Sequence, residues 1–242
     1  GVGAGDELIT TPITFAASAN CALYCGATPV FADINPNTYN IDPKSVSEKI
    51  TDKTKAVVAV DYTGQAVELD ALLEICHSKG ITLIEDAAHS IGTKYNGKMI
   101  GSIADMTCFS FHPVKTITAG EGGAITTNDE DLYRKLLRLR THGITRNADE
   151  MAHPTDDPWY QEQVDLGYNY RMTDFQAALL ISQLKKLPVF SMRRKEIVEK
   201  YDDAFFAQNK LVLVSFLEGS GSISHEVTGI TYSENNVNIK IN

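Results

Sequence analysis

The sequence predicts an α/β protein built on a mainly parallel sheet with helices on both faces. Three observations predict it. Strand-like and helix-like segments alternate from the first residues onward. The run at 56–60, AVVAV, is continuously apolar and β-branched rather than alternating, as in a strand covered on both sides. Glycine or proline also punctuates the helical segments at their ends, leaving short connections suited to right-handed crossovers.

In chain order, residues 7–10 read as a short strand. Residues 15–25 have helical spacing and stop at Gly26. Residues 29–34 form a strand that turns at Asn35-Pro36-Asn37. Asp42 is placed to cap a helix with Pro43 at its first position. Residues 69–78 are amphipathic and end at Gly80, and 81–84 are the next strand. Asn96-Gly97 predicts a tight hairpin. Strands follow at 106–111 and 124–127, then a helix at 132–140 with a basic last turn, which suits the helix dipole. The polar stretch 147–163 reads as a long loop. A strong helix is predicted at 173–187, with a second, charged helix at 189–206 after Pro188. Beyond Gln208, serine, glycine and asparagine are frequent and the β-like pieces are short.

With 242 residues, 43% of them hydrophobic, the chain can build a substantial core. A formal net charge of −9 argues against nonspecific nucleic-acid binding, which needs a broad basic surface. No apolar run approaches the length of a membrane-spanning helix, so neither nucleic acid nor membrane is expected as a partner. Cys21, Cys25, Cys76 and Cys108 form no CxxC pair, and no histidine falls at zinc-finger spacing. No metal is expected. The cysteines read as small buried residues in a reducing compartment, which points to the cytoplasm.

Two segments carry chemistry. The first, Ser110-Phe111-His112-Pro113-Val114-Lys115, leaves a predicted strand and enters the glycine-bearing loop 119–123. A lysine just past a strand end can point into the cleft at the carboxyl edge of an α/β sheet. It is also the residue that forms a Schiff base with an aldehyde cofactor. Taken alone, Lys115 reads by default as a surface lysine in a loop. The second, Glu85-Asp86-Ala87-Ala88-His89-Ser90, also follows a strand. A carboxylate there can hold a pyridine nitrogen protonated, and the plain alternative for Asp86 is a backbone cap. Together the segments put an aspartate and a lysine on adjacent strand ends.

These motifs resemble those of the DegT/DnrJ/EryC1/StrS sugar aminotransferases. The matching stretches are 6–25, 28–33, 60–64, 83–90, 110–128 and 166–187, so the similarity spans nearly all of 1–206. The resemblance implies the three-layer fold of the aspartate aminotransferase-like, pyridoxal-phosphate (PLP)-dependent transferases, with PLP as cofactor. It implies that Lys115 carries the cofactor covalently, that Asp86 pairs with its pyridinium nitrogen, and that Ser110 bonds its phosphate. Phe15 takes the position of the aromatic that stacks on the ring, with core packing as its alternative. His89 would lie close to the ring. Asn169 would reach the phosphate of a neighbouring subunit's cofactor, in a homodimer with shared sites, its alternative being a turn residue.

Softer features point within the family to enzymes acting on a UDP-linked 4-keto-6-deoxy sugar of the pseudaminic acid type. They are Trp159-Tyr160 ahead of the 166–171 segment, the run 182–186, and Val60-Asp61-Tyr62. Glutamate is the implied amino donor. Dehydratases of the family carry histidine at the lysine position, so Lys115 favours transamination over that alternative; a noncatalytic relative is the other. The family normally supplies a glycine–threonine turn upstream of the position of Gly1 and a small carboxyl-terminal domain downstream. The expected organisation is therefore a PLP-binding large domain at 1–188, lacking its amino-terminal part. A linking helix and a truncated or divergent remnant of the small domain follow at 189–242. A chain so divided is expected to be weakly active or inactive.

Overall fold

A computed structural model of the chain describes residues 1–155, 157–203, 227–233 and 236–241. Strand β1 (Glu7–Thr10) leads to helix α1 (Ala17–Tyr24), which closes at Gly26 with φ of 77°, a left-handed angle that glycine adopts without cost. Strand β2 (Thr28–Phe31) precedes α2 (Pro43–Lys49), where the Lys44 amide donates to Asp42 Oδ1 at 2.9 Å, the expected cap. Next come β3 (Thr54–Val60), α3 (Leu69–Ser78) and β4 (Thr82–Asp86). The hairpin of β5 (Lys94–Tyr95) and β6 (Lys98–Met99) turns on Asn96 and Gly97, at φ of 48° and 80°, the pair of positive angles a type I′ turn demands. Strands β7 (Met106–Ser110) and β8 (Gly123–Thr126) follow, then α4 (Glu130–Leu139), capped by Asp129.

The expected loop at 147–163 is better ordered than its polarity suggests. Strands β9 (Ile144–Thr145) and β10 (Glu162–Gln163) pair antiparallel across its base, and a short 3-10 turn, Ala148–Glu150, lies inside it.

One expectation is corrected. Helix α5 (Asp174–Tyr201) is continuous through Pro188, where the sequence suggested two helices. A proline inside a helix removes a backbone hydrogen bond and costs about 3 kcal/mol. Here Leu180, Leu187 and Phe190, on both sides of the proline, pack on the cluster of Phe111, Ile117 and Ala119. The predicted end of that helix, 204–206, lies outside the described residues, as does most of the tail. Within the tail, β11 (Val227–Ser233) and β12 (Asn236–Ile241) form an antiparallel hairpin. The contacts divide the chain into Gly1–Phe190 and Ser191–Asn242.

The sheet order is β2-β1-β3-β4-β7-β8. The first five strands are parallel and β8 is antiparallel to β7. Alternation sorts the side chains onto two faces. Ile9, Val57, Ala59 and Leu83 join Leu69, Leu72 and Cys76 of α3 in one core. Leu8, Ala56, Val58 and Ile84 join Ala22 of α1 in the other. Leu72 is fully buried. Leu72→Ala should therefore cost about 2–5 kcal/mol in denaturant unfolding, against little for Leu23→Ala, whose side chain is exposed. Equal losses would contradict this placement of the core. Cys76 is buried as expected, but Cys25 is exposed, because it lies past the end of α1 rather than on its inward face. No helix among the described residues is long and apolar enough to cross a membrane.

Candidate functional site

Parallel strands end on the same edge of a sheet, and this delivers the candidate residues to one place. Val60, Asp86 and Cys108 stand side by side in the registers of β3, β4 and β7. Residues 11–15, 61–65, 87–90 and 111–115 all leave the carboxyl edge, where α/β proteins bind ligands.

Asp86 is the last residue of β4, half-buried on the α1 side. Ser18 Oγ donates to its Oδ2 at 2.9 Å, and the Ala88 amide donates to its Oδ1 at 3.2 Å. Thr14 Oγ1 lies 2.8 Å from Ser18 Oγ. Since Ser18 commits its one proton to Asp86, Thr14 is the donor in that second bond. Asp86 thus bonds a backbone amide, but it caps no helix, because residues 87–90 form turns. Ser18 was not singled out in the sequence. The signal was available: Ser18 and Ala22 are the buried pair of α1, and a hydroxyl on a buried helical stripe needs a partner.

Lys115 is half-buried in the turn after β7, its amide donating to His112 O at 3.0 Å. Its amine makes no hydrogen bond or ion pair among the described residues. His89 is exposed and sits within electrostatic reach of both Lys115 and Asp86. Partial desolvation, then the Lys115 charge, hold its imidazole below the ordinary value, while Asp86 pulls the other way. The ring is therefore neutral near pH 7. Burial and then the Asp86 charge push the Cys108 thiol up to about 11. Burial likewise raises Cys21, and neither thiol competes as a nucleophile.

Ser110 ends β7, half-buried, and its Oγ accepts from the His112 amide at 3.4 Å. Phe15 is 81% exposed at the same sheet edge and so is not packed in the core of the described residues. Asn169 is not brought to this group by any hydrogen bond among the described residues. It bridges Thr141 at the end of α4, flanked by the stacked rings of Tyr168 and Tyr170, 4.8 Å apart, and all three side chains are exposed. The Tyr168 and Tyr170 amides donate to Leu139 O and Arg140 O. The segment's backbone is thus pinned while its side chains face outward.

A cavity of about 460 Å³ opens elsewhere, among Arg134, Arg138, Arg146 and Gln161. Two of its guanidinium groups are paired, Arg134 with Glu130 and Arg138 with Asp165 and Glu150, while Arg146 bonds the amide oxygen of Gln161.

The carboxylate of Asp86, the imidazole of His89 and the Lys115 amine, which makes no hydrogen bond or ion pair among the described residues, gather at the ends of β4 and β7 of an α/β fold. The chain belongs to the DegT/DnrJ/EryC1/StrS aminotransferase family, whose match covers residues 1–240, well past the limit of 206 that the motifs alone carried. Enzymes of this family depend on PLP, and the donor set here fits that group. An acid for the ring nitrogen would come from Asp86, an amine for the aldehyde from Lys115, and a hydroxyl for the phosphate from Ser110.

The chain is 42% identical over 243 residues to the spore coat polysaccharide biosynthesis protein SpsC of Bacillus subtilis, covering 97% of this chain and 62% of SpsC. It is 40% identical over 200 residues to the UDP-4-amino-4,6-dideoxy-N-acetyl-β-L-altrosamine transaminase of Helicobacter pylori, covering 83% of this chain and 51% of that enzyme. Among solved structures it resembles Helicobacter pylori PseC, an aminotransferase involved in the biosynthesis of pseudoaminic acid. The TM-score is 0.77 at 39% identity, over 85% of this chain and 53% of PseC. The chain thus spans about half to two-thirds of the length of these relatives.

Proposed function

We propose that this chain carries the PLP-binding core of an aminotransferase that moves an amino group from glutamate to a UDP-linked 4-keto-6-deoxy sugar. The observation that carries the reading is the convergence of Asp86, His89 and Lys115 at one sheet edge. The likeness to the Helicobacter pylori transaminase supports the finer substrate, together with Trp159-Tyr160 ahead of residues 166–171.

When bound, PLP supplies an electron sink for the pair left on the substrate carbon when that carbon loses its proton. The protein's own residues do the rest. Lys115 would hold the cofactor through Nζ, and the same amine would carry the proton to and from the substrate carbon. Asp86, oriented by Ser18 and Ala88, offers a carboxylate to the ring nitrogen. His89, its imidazole held below the ordinary value, would lie near the ring, Phe15 would offer its exposed face for stacking, and Ser110 would donate to the phosphate. The reducing cytoplasm suits four free cysteines.

The purified whole protein should transfer nitrogen from glutamate to a UDP-linked 4-keto-6-deoxy sugar with ping-pong kinetics. Preference for a GDP-linked or dTDP-linked ketone would overturn the finer substrate and leave the aminotransferase standing. Loss of water from the sugar without nitrogen transfer would favour the dehydratase.

Asn169 is proposed to serve a partner subunit. Its exposed side chain, set among exposed Leu166, Tyr168, Tyr170 and Phe175, suits an isologous interface better than solvent. Mixing inactive Lys115→Ala with inactive Asn169→Ala places both lesions in one site of a heterodimer and leaves the other intact. Some activity should return. Absence of recovery with heterodimers confirmed by mass spectrometry would mean that Asn169 acts within its own chain or not at all.

A further inference from the structure

The most unusual group outside the residues assigned above is an acid in the middle of the core. Glu85 sits on a central strand between Ala59 and Thr107 and is fully buried. Its Oε2 accepts from Thr107 Oγ1 at 2.8 Å, while its Oε1 is buried and makes no hydrogen bond among the described residues, although the nearby Gly101 amide favours the ionised form. Asp61, also buried, lies at the end of the neighbouring strand and acts directly on it.

Asp61 grips both ends of the segment that carries Asp86 and His89. Its amide donates to Asp86 O at 3.1 Å, and its Oδ2 accepts from Ser90 Oγ at 2.5 Å. Its Oδ1 accepts from the Val67 amide at 3.0 Å. Ser90 is itself fully buried.

We propose that Glu85 is a positioning residue that stays protonated, offering its Oε1 proton to Asp61, so that the pair shares one proton and one negative charge beneath residues 86–90. The role in positioning rests on the reading above that Asp86 and His89 face PLP. The titratable neighbours acting most strongly on the pair are acids: Asp86 from the other face of β4, and the pair's own members on each other. Cys108 on β7 and Cys76 on α3 are neutral thiols, and Leu69 and Leu72 complete the α3 side. Two ionised carboxyls in such surroundings repel with little solvent to screen them, and burial penalises each. Burial, then the Asp61 charge, push Glu85 up to about 7, and burial pushes Asp61 up to about 6. An unpartnered Oε1 is where the proton belongs, since a protonated carboxyl needs an acceptor rather than a donor.

The sign of the pH dependence follows. Both groups bind protons more tightly folded than unfolded, so the stability they contribute is present below about pH 4 and is lost as the pH climbs through about 6 and 7. Glu85→Gln keeps a donor toward Asp61 and cannot ionise; Glu85→Leu keeps the bulk and removes the donor.

The test combines infrared spectroscopy, thermal unfolding and PLP titration on the whole protein. At neutral pH the wild type should show a protonated-carboxyl stretch that Glu85→Gln removes. The wild-type melting temperature should fall as the pH rises through that window, and the Glu85→Gln profile should be flatter. PLP affinity should weaken toward alkaline pH in the wild type, hold in Glu85→Gln, and be weak throughout in Glu85→Leu. Absence of the carboxyl band, or equal pH slopes in wild type and Glu85→Gln, would overturn the shared proton. Equal PLP affinity in all three proteins at every pH would overturn the positioning role. Failure of Asp86 and Lys115 to serve PLP shows up separately, in the trapping experiment that closes the Discussion.

Discussion

Lys115→Ala should abolish covalent capture of PLP and lower transamination by at least roughly 10³-fold if, as proposed, one amine serves as both anchor and base; positioned proton transfer alone is worth about 10²–10⁴. The fold should persist. The amine makes no hydrogen bond or ion pair among the described residues, so the change in stability should stay within about 0.5 kcal/mol. A second readout follows from the His89 environment. The Lys115 charge is one of the two influences that depress the imidazole, so the variant's His89 should titrate at higher pH than the wild type's, followed by NMR of the ring protons. An unmoved His89 would mean that the two residues do not meet as described, and full activity would remove Lys115 from the chemistry.

Asp86→Asn separates a structural from an electronic role. Asparagine can keep the geometry: its carbonyl accepts from the Ala88 amide while its NH2 donates to Ser18 Oγ, which turns its own proton to Thr14. Stability should change by under about 1 kcal/mol. What disappears is the charge toward the ring nitrogen. A hydrogen bond to a charged partner is worth about 1.5–3 kcal/mol, or roughly 10- to 100-fold in rate, and transamination should fall by at least that much. A variant that unfolds, with unchanged activity per folded molecule, would make Asp86 a structural cap.

The legible part of the fold was the part governed by local chemistry. The Asp42-Pro43 start, the Gly26 stop and the Asn96-Gly97 turn each depend on one or two residues with unusual backbone preferences, and each stands where those preferences put it. Pro188 misled for the complementary reason: its local cost is real, but Leu187 and Phe190 pack on one cluster and tertiary contact prevails. The shared location of Asp86, Lys115 and His89 was legible because parallel strands must end on one edge. Their supports were not. Ser18 is far from Asp86 in sequence, and Asp61 meets Ser90 and Glu85 only once β3 and β4 pair. Strand alternation did hold one clue, since adjacent acids on a central strand face opposite sides, so Glu85 had to enter the core if Asp86 was to line the site.

The central claim is that PLP is held by Lys115 against Asp86. Borohydride reduction of the PLP-loaded protein, followed by peptide mapping, tests it most directly. The account predicts a visible absorbance band that reduction bleaches, with the pyridoxyl label on the peptide containing Lys115 and absent from Lys115→Ala. A label on Lys94 or another lysine, or no visible band at all in the whole protein, would contradict it.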